Sequence, residues 1–388
     1  MSKLVLKICC NVWKNANRDK RELSVYREQG ADVLVMAKGC DEDNGRRETV
    51  DGFEVLRLSS RPLGTRMPNA LNRFVSVFVW AHKARLLNPD VISGHDLPAL
   101  AIGWISGWFR SKKPALVYDS HEFELGRNAR RSKLTISLIA VAERFLMKRC
   151  VYSIMVNDTI ADEVQRIHKL AERPIVVRST PDRWTLDESV FPDMRREMLP
   201  ADAGDDVFLV MYHGALTTMR GIEALLRVTA ANPAVSAFIL GDGEKDYVEG
   251  LHKLAGELGV TDRTVFHPAV PIEELWKFVG AADLSLMMIE GKAKSYYYSL
   301  PNKFFESIQA LTPIVASDFP EMKRIIDRYK IGLSCDPSDF DAVLSCVEKM
   351  RMDRESYLRC KQNLSAAKED LCWANEKEVL IKAFREIG

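Results

Sequence analysis

Strand-length apolar runs alternate with helix-length amphipathic stretches along most of the 388 residues. The first half holds KLVLKICC, ADVLVMA, FEVLRLS, DVISGH, ALVYDS, VYSIMVN and IVVRS; the second holds DVFLVMYHG, AVSAFILGDG, RTVFHPAV, ADLSLMMI and TPIVASD. Strands that are apolar on both faces must be covered on both, and the helices between them supply the cover. The pattern therefore predicts an α/β protein with helix-covered parallel sheets. A chain of this length exceeds one hydrophobic core, so two domains are expected. PDRWTLDESVFPDMRREMLPADAGDD (181–206) is rich in Pro and Asp and lacks sustained periodicity, which suits a linker. The boundary is set near residue 190, and DEDNGRRETVDG (41–52) reads as a charged loop.

In open α/β sheets ligands bind beyond the carboxyl ends of the strands. The polar clusters fall there. His95 and Asp96 follow DVIS; Asp119, His121 and Glu122 end ALVYDS; His213 and Gly214 end FLVMY; Gly241, Asp242 and Gly243 end AFIL. Two such edges facing each other would form one cleft.

SYYYSLPNKFFESIQALTPIVASD (295–318) carries the densest chemistry. Pro301 suits the first position of a helix, where a missing N–H has no partner to lose. Lys303 and Glu306 share one face of that helix, while Phe304, Phe305 and Ile308 supply an anchor. A phosphate at the helix start gains from the terminal N–H groups and from the Lys303 charge, and Glu306 can hold a vicinal diol. The bland alternative is a solvated ion pair worth only about 0.2–0.5 kcal/mol. HGALTTMRGIEALL (213–226) places Arg220 at another helix mouth, ready for a diphosphate or, more blandly, for Glu223. The GDG at 241–243 lacks the dinucleotide spacing and marks a tight turn.

Composition narrows the class. The eight cysteines form no C-x-x-C pair and no metal set with histidine, pointing to reduced thiols in the cytoplasm and to no metal. MSKLVLKICCNVW reads as a first strand and not as a signal peptide. Residues 1–180 hold 30 Lys+Arg against 20 Asp+Glu, and residues 61–150 hold 15 against 6. That segment includes FVSVFVWA (74–81) and LPALAIGWISGWF (97–109), too short to span a bilayer but able to rest on one. An anionic membrane surface is thus an expected partner, on the inner face, whereas nucleic acid is not, because the positive charge lacks interleaved stacking aromatics.

VYDSHE, HGALTTMRG, FILGDGE, VPIEELWKFVGAADL, PNKFFESIQALTPIVASD and CWANEKEVLIKAF, in that order, resemble the retaining glycosyltransferases of family 4. The likeness is dense over 207–322 and recognisable at 91–122 and at the tail. It implies the GT-B fold: two Rossmann-like doubly wound domains facing across a cleft, 1–190 on the acceptor side and 191–372 for the nucleotide sugar, with 373–388 around Trp373 packing back on the first. It also implies a donor that is a nucleotide-diphosphate sugar, no further cofactor, and an acceptor that is a glycan or lipid-linked hydroxyl. Arg220 then sits where the family binds diphosphate, Glu306 matches the second glutamate of its paired motif, and His121 matches the histidine near the transferred sugar. Gly214, Ser299 and Leu300 join the substrate set.

Three departures accompany the likeness. The first glutamate of the pair falls at Tyr298, for which Glu290 is a substitute; the usual arginine after the glycine is Ala215, leaving Arg220 and Lys303 for the diphosphate; and NVWKNANRDKRE has no glycine pair, leaving side chains such as Lys20. Without the likeness His121 between Asp119 and Glu122 reads as a hydrogen-bonded structural residue. Tyr296, Tyr297 and Tyr298 read as packing or as stacking on a base or sugar. A nucleotide-sugar epimerase using Asp119 and Glu122, or a non-catalytic nucleotide- or glycan-binding protein, are the alternatives.

Overall fold

The computed structural model describes residues 2–13, 17–40, 45–127, 131–201, 203–204 and 206–387. They form two compact units, Met1–Arg178 with Glu376–Gly388, and Ser179–Asn375.

The first unit is built on eight strands: β1 (Leu4–Cys9), β2 (Asp32–Gly39), β3 (Arg47–Val50), β4 (Phe53–Ser59), β5 (Val91–His95), β6 (Ala115–Asp119), β7 (Tyr152–Met155) and β8 (Ile175–Val176). Their order is β3-β4-β2-β1-β5-β6-β7-β8, parallel except for β3 against β4. The chain winds outward in both directions from β1, so the crevice beyond β1 and β5 is the switch point where ligands of such sheets bind. Register brings Lys7 beside Ser93, Cys9 beside His95, and His95 beside Asp119.

The second unit has β9 (Phe208–His213), β10 (Val235–Leu240), β11 (Thr264–His267), β12 (Leu284–Met287), β13 (Ile314–Ser317) and β14 (Gly332–Cys335). The order β11-β10-β9-β12-β13-β14 is wholly parallel and reverses between β9 and β12. Val210, Tyr212, Ile239, Leu286 and Val315 line one core with the helix Ile222–Ala231; Met287, Phe304, Phe305, Ile308 and Ile314 line another with the helix Asn302–Gln309.

Several expectations need correction. Residues 47–50 are a strand and not part of a loop, because Asp51 (φ 48°) and Gly52 (φ 79°) make a two-residue turn with both φ positive, the geometry that joins hairpin strands. Residues 41–44 of that segment lie outside the described residues, as do 14–16 of NVWKNANRDKRE. β14 is an additional strand; Gly332 permits it, since a Cβ there would stand 1.8 Å from the Ile314 carbonyl oxygen. The division falls between Arg178 and Ser179, not near 190. The supposed linker is part of the second unit: Trp184 N–H donates to Gln309 Oε1 at 3.1 Å, and the helix Phe191–Met198 buries Met198 while Phe191 meets Trp276. Its apolar residues, few in number, fall where they reach that core. The last helix, Trp373–Arg385, starts in the second unit and from Glu376 on belongs to the first, where Arg178 pairs with Glu376 at 2.9 Å and Phe384 lies against Tyr26.

Candidate functional site

In the second unit β9 ends at His213, and the chain turns through Gly214 (φ 117°) and Gly221 (φ 77°) into the helix Ile222–Ala231. A side chain at Gly221 would meet the Met288 carbonyl oxygen at 2.3 Å, so glycine is needed where this loop crosses the end of β12. The GDG does more than turn. Gly241 and Gly243 let that segment lie against the same loop, with Gly214 N–H donating to Leu240 O at 2.9 Å and Leu216 N–H to Asp242 O at 2.8 Å.

The helix Asn302–Gln309 begins beside this loop, with Pro301 one position earlier than expected, at the cap. Lys303 is buried, and no solvated pair with Glu306 forms. Its Nζ stands 3.6 Å from the centroid of the Tyr212 ring and has no hydrogen-bond partner among the described residues. Burial, and then the Arg220 charge, hold its pKa well below the usual lysine range. Glu306 instead accepts from His213 Nε2 at 3.0 Å, joining residues 93 positions apart. Arg220 is half-buried, 5.4 Å from the Tyr296 ring centroid. Its bland partner is otherwise engaged: Glu223 accepts from the Tyr247 hydroxyl at 2.7 Å, and no ion pair joins it to Arg220 among the described residues.

The rest of the loop set is mixed. Ser299 Oγ is buried without a hydrogen-bond partner among the described residues, and Leu300 packs on the core beneath. Tyr298 ends the short helix Lys294–Tyr297, its ring 5.5 Å from that of Tyr297, while Tyr297 also meets Phe319. Glu290 N–H donates to Met219 O at 3.2 Å, so the Glu290 backbone borders the 214–221 loop, but its carboxylate pairs with Lys292 at 2.6 Å. Beyond β10 and β11 lies a cavity of about 430 Å³ lined by Leu216, Asp242, Lys245, His252, Phe266 and His267, the His252 ring 4.0 Å from Phe266. His252, Phe266 and His267 carry no motif in the sequence; the signal available was a histidine before proline at the carboxyl end of a strand.

The first unit gathers charges at its own switch point. Lys7, fully buried in β1, reaches Glu22 and Asp119 at 2.6 Å and Asp19 at 3.1 Å; Arg18 adds a 2.9 Å bond to Asp119. His121 Nε2 lies 2.8 Å from Asp119 and 3.4 Å from Asp19, and His95 Nδ1 is 3.1 Å from Asp19, with the two imidazoles 3.8 Å apart. Burial works against every charge here. Lys7 nevertheless holds Asp119 and Asp19 well below the usual carboxylate range, and Asp119 lifts His121 to about 9. Burial pushes Glu22 up, yet it accepts from Lys7, Tyr26 and Ser93, and three donors favour the carboxylate. Three carboxylates thus face Lys7, Arg18 and an imidazolium.

Asp19, His95, Asp119 and His121 bring four potential ligand atoms within 4.8 Å of one another. Lys7 Nζ bonds both carboxylates of that set and already supplies a cation to them. Other expectations fare differently. Asp96, at φ 66°, pairs with Arg127 at 2.9 Å, as does Glu122 at 3.2 Å. Lys20 pairs with Asp51 at 2.5 Å, on the β3–β4 hairpin; Arg18, which the sequence did not single out, enters the cluster in its place.

Comparison with known proteins fits this frame. A model described as "Glycosyl transferase 4-like domain" matches residues 22–180, and one described as "Glycosyl transferases group 1" matches 196–366. The lipopolysaccharide core biosynthesis glycosyltransferase LpsE of Rhizobium meliloti is 27% identical over 188 residues, 48% of this chain and 50% of that protein. A D-inositol 3-phosphate glycosyltransferase of Thermomonospora curvata is 30% identical over 166 residues, 39% of this chain and 36% of that protein. The matches thus span half or less of these curated relatives. The crystal structure of Anabaena Alr3699/HepE in complex with UDP superposes with a TM-score of 0.77 at 16% identity, covering 99% of each chain, which shows a shared fold.

Proposed function

Because the chain belongs to the GT-B glycosyltransferases, we propose that it moves a sugar from a nucleotide-diphosphate sugar to a hydroxyl acceptor, with retention at the anomeric carbon. The observation that carries this reading is Lys303. A buried lysine amine without a hydrogen-bond partner among the described residues resists protonation, and an arriving anion would hold it as the ammonium. Lys303, Arg220 and the start of the helix Asn302–Gln309 converge there, so a diphosphate is the fitting anion. The nucleoside is assigned to the cavity beyond β10 and β11, a size suited to small ligands, and the ribose hydroxyls are assigned to Glu306, which lies outside that lining. A solved relative in complex with UDP supports a nucleotide donor, and a lipopolysaccharide relative supports a glycan or lipid-linked acceptor.

On this reading departure of the diphosphate leaves positive charge at the anomeric carbon and negative charge on the phosphate. Arg220 and Lys303 stabilise the phosphate. The acceptor hydroxyl attacks from the same face, its proton passing to the departing phosphate oxygen, and the configuration is kept. His121, held as an imidazolium by Asp119, is assigned to the transferred sugar as a donor. Gly214, Ser299 and Leu300 shape the donor pocket, with Tyr298 and Glu290 at the sugar end.

The epimerase alternative loses support, since it needs two carboxyl groups that exchange protons. Asp119 is saturated by Lys7, Arg18 and His121, and Glu122 is paired with Arg127. The test is thermal unfolding of wild type and Arg220→Ala with UDP, GDP, ADP and dTDP. Saturation at 100 times Kd adds about 2.7 kcal/mol, so a base-selective rise of several degrees, lost in the variant, is expected. Folded protein that shows no rise with any of them at millimolar ligand overturns the reading.

A further inference from the structure

The helix Lys133–Met147 is amphipathic in the wrong sense for a helix that simply covers a sheet. Leu134, Leu138, Val141 and Phe145 recur at spacings of four, three and four, which places them on one face. That face points to solvent: Leu134 is 72%, Val141 68% and Leu138 63% exposed. The residues buried by this helix are Leu146, Met147 and a glutamate, Glu143, which is held by the Tyr118 hydroxyl and His168 Nε2 at 2.9 Å each. The apolar stripe continues sideways. Phe145 meets Trp104 at 5.1 Å, Trp104 meets Trp108 at 5.0 Å, and Phe109 beside it is 87% exposed. A cavity of about 270 Å³ opens within this aromatic group, walled by Trp104, Trp108, Pro114 and Leu116, with Lys113 and Arg149 also lining it. Contiguous apolar surface of this kind marks an interaction site.

Charge decides the partner. From residue 133 to 157 the sequence holds four Lys and Arg and one acidic residue, Glu143, which is buried. Arg144 precedes the last residue of the stripe and Lys148 and Arg149 follow it, with the Arg149 guanidinium 3.4 Å from the Phe145 ring centroid. An apolar stripe edged by cations and tryptophans suits the boundary between anionic headgroups and acyl chains. A second copy of the same face would oppose cations to cations. We propose that the exposed face of the helix Lys133–Met147, with Trp108 and Phe109, seats the first unit on an anionic phospholipid surface. This gives the lipid-linked acceptor reading a docking surface without depending on sugar transfer.

Flotation with vesicles of phosphatidylcholine, with and without phosphatidylglycerol, tests it on the full chain. Wild type floats with the mixed vesicles and much less with phosphatidylcholine alone. Rising salt weakens binding, because each surface cation contributes about fivefold to partitioning. Lys148→Glu loses at least that factor, and Leu138→Glu/Val141→Glu loses about tenfold or more. Both variants alter exposed positions and keep their circular dichroism and any nucleoside-diphosphate thermal shift, which separates this inference from the transferase reading. Wild type that stays in solution with anionic vesicles at low salt overturns the proposal. So does a folded Leu138→Glu/Val141→Glu protein that floats like wild type, or equal binding to neutral vesicles. A wild-type dimer that becomes a monomer in the variant, without vesicle binding, assigns the face to a second copy and likewise overturns it.

Discussion

Replacing Lys303 by methionine separates the stability of the second unit from its proposed task. Methionine keeps a similar length and volume against Tyr212 and removes the buried charge. In the free protein that charge is a liability. Burial depresses the folded pKa of Lys303, so between the folded and unfolded values the unfolded chain binds more protons. Stability therefore falls as pH drops from the ordinary lysine range through the folded pKa, and the full penalty applies below it. An unsatisfied buried donor costs about 1–3 kcal/mol. Lys303→Met should then raise the Tm by about 2–4 °C per kcal/mol removed, the scale for a unit of this size. Binding should move the other way. Losing one charge-assisted hydrogen bond to phosphate costs about 1.5–3 kcal/mol, or about 10- to 150-fold in affinity. Differential scanning fluorimetry and titration calorimetry with the nucleoside diphosphate that shifts wild type most would measure both. Calorimetry in buffers of different ionisation enthalpy should also show proton uptake on binding to wild type, with affinity falling as pH rises above the folded pKa, and none in the variant. A variant with a lower Tm and unchanged affinity would refute the argument.

Two further outcomes follow from the first unit. The bond from His121 to Asp119 is expected to add stability below pH 6.5 and to lose it as pH rises through about 9, since the folded pKa is raised; urea unfolding of wild type and His121→Gln across this range should show curves that converge on the alkaline side. Lys7→Met leaves Asp19, Glu22 and Asp119 buried without their shared ammonium and should cost about 3–5 kcal/mol. Equilibrium unfolding near wild-type stability would show that Arg18 and His121 suffice.

The alternation of strand and helix was legible because it is local: β1, β9 and β10 follow from runs in which nearly every residue is buried, and no distant contact is needed to recognise them. The loop chemistry was legible in part. Lys303, Glu306, Arg220 and His121 could be picked out as residue types at strand or helix ends, and the family likeness gave them roles. Their states were not legible. Lys303 and Glu306, three residues apart, read as partners, yet the fold buries one beside Tyr212 and gives the other to His213. Trp184 and Phe191 looked like linker until a core formed to receive them.

Composition and periodicity determined that this chain builds two parallel sheets with polar clusters at their carboxyl ends. Only the tertiary structure decided which groups meet there. Lys7 and Asp119, 112 positions apart, become neighbours through the parallel register of β1, β5 and β6. The physical reason is that hydrophobic periodicity is written within a dozen residues, whereas the charge state of a buried group depends on everything the fold brings within a few ångströms of it.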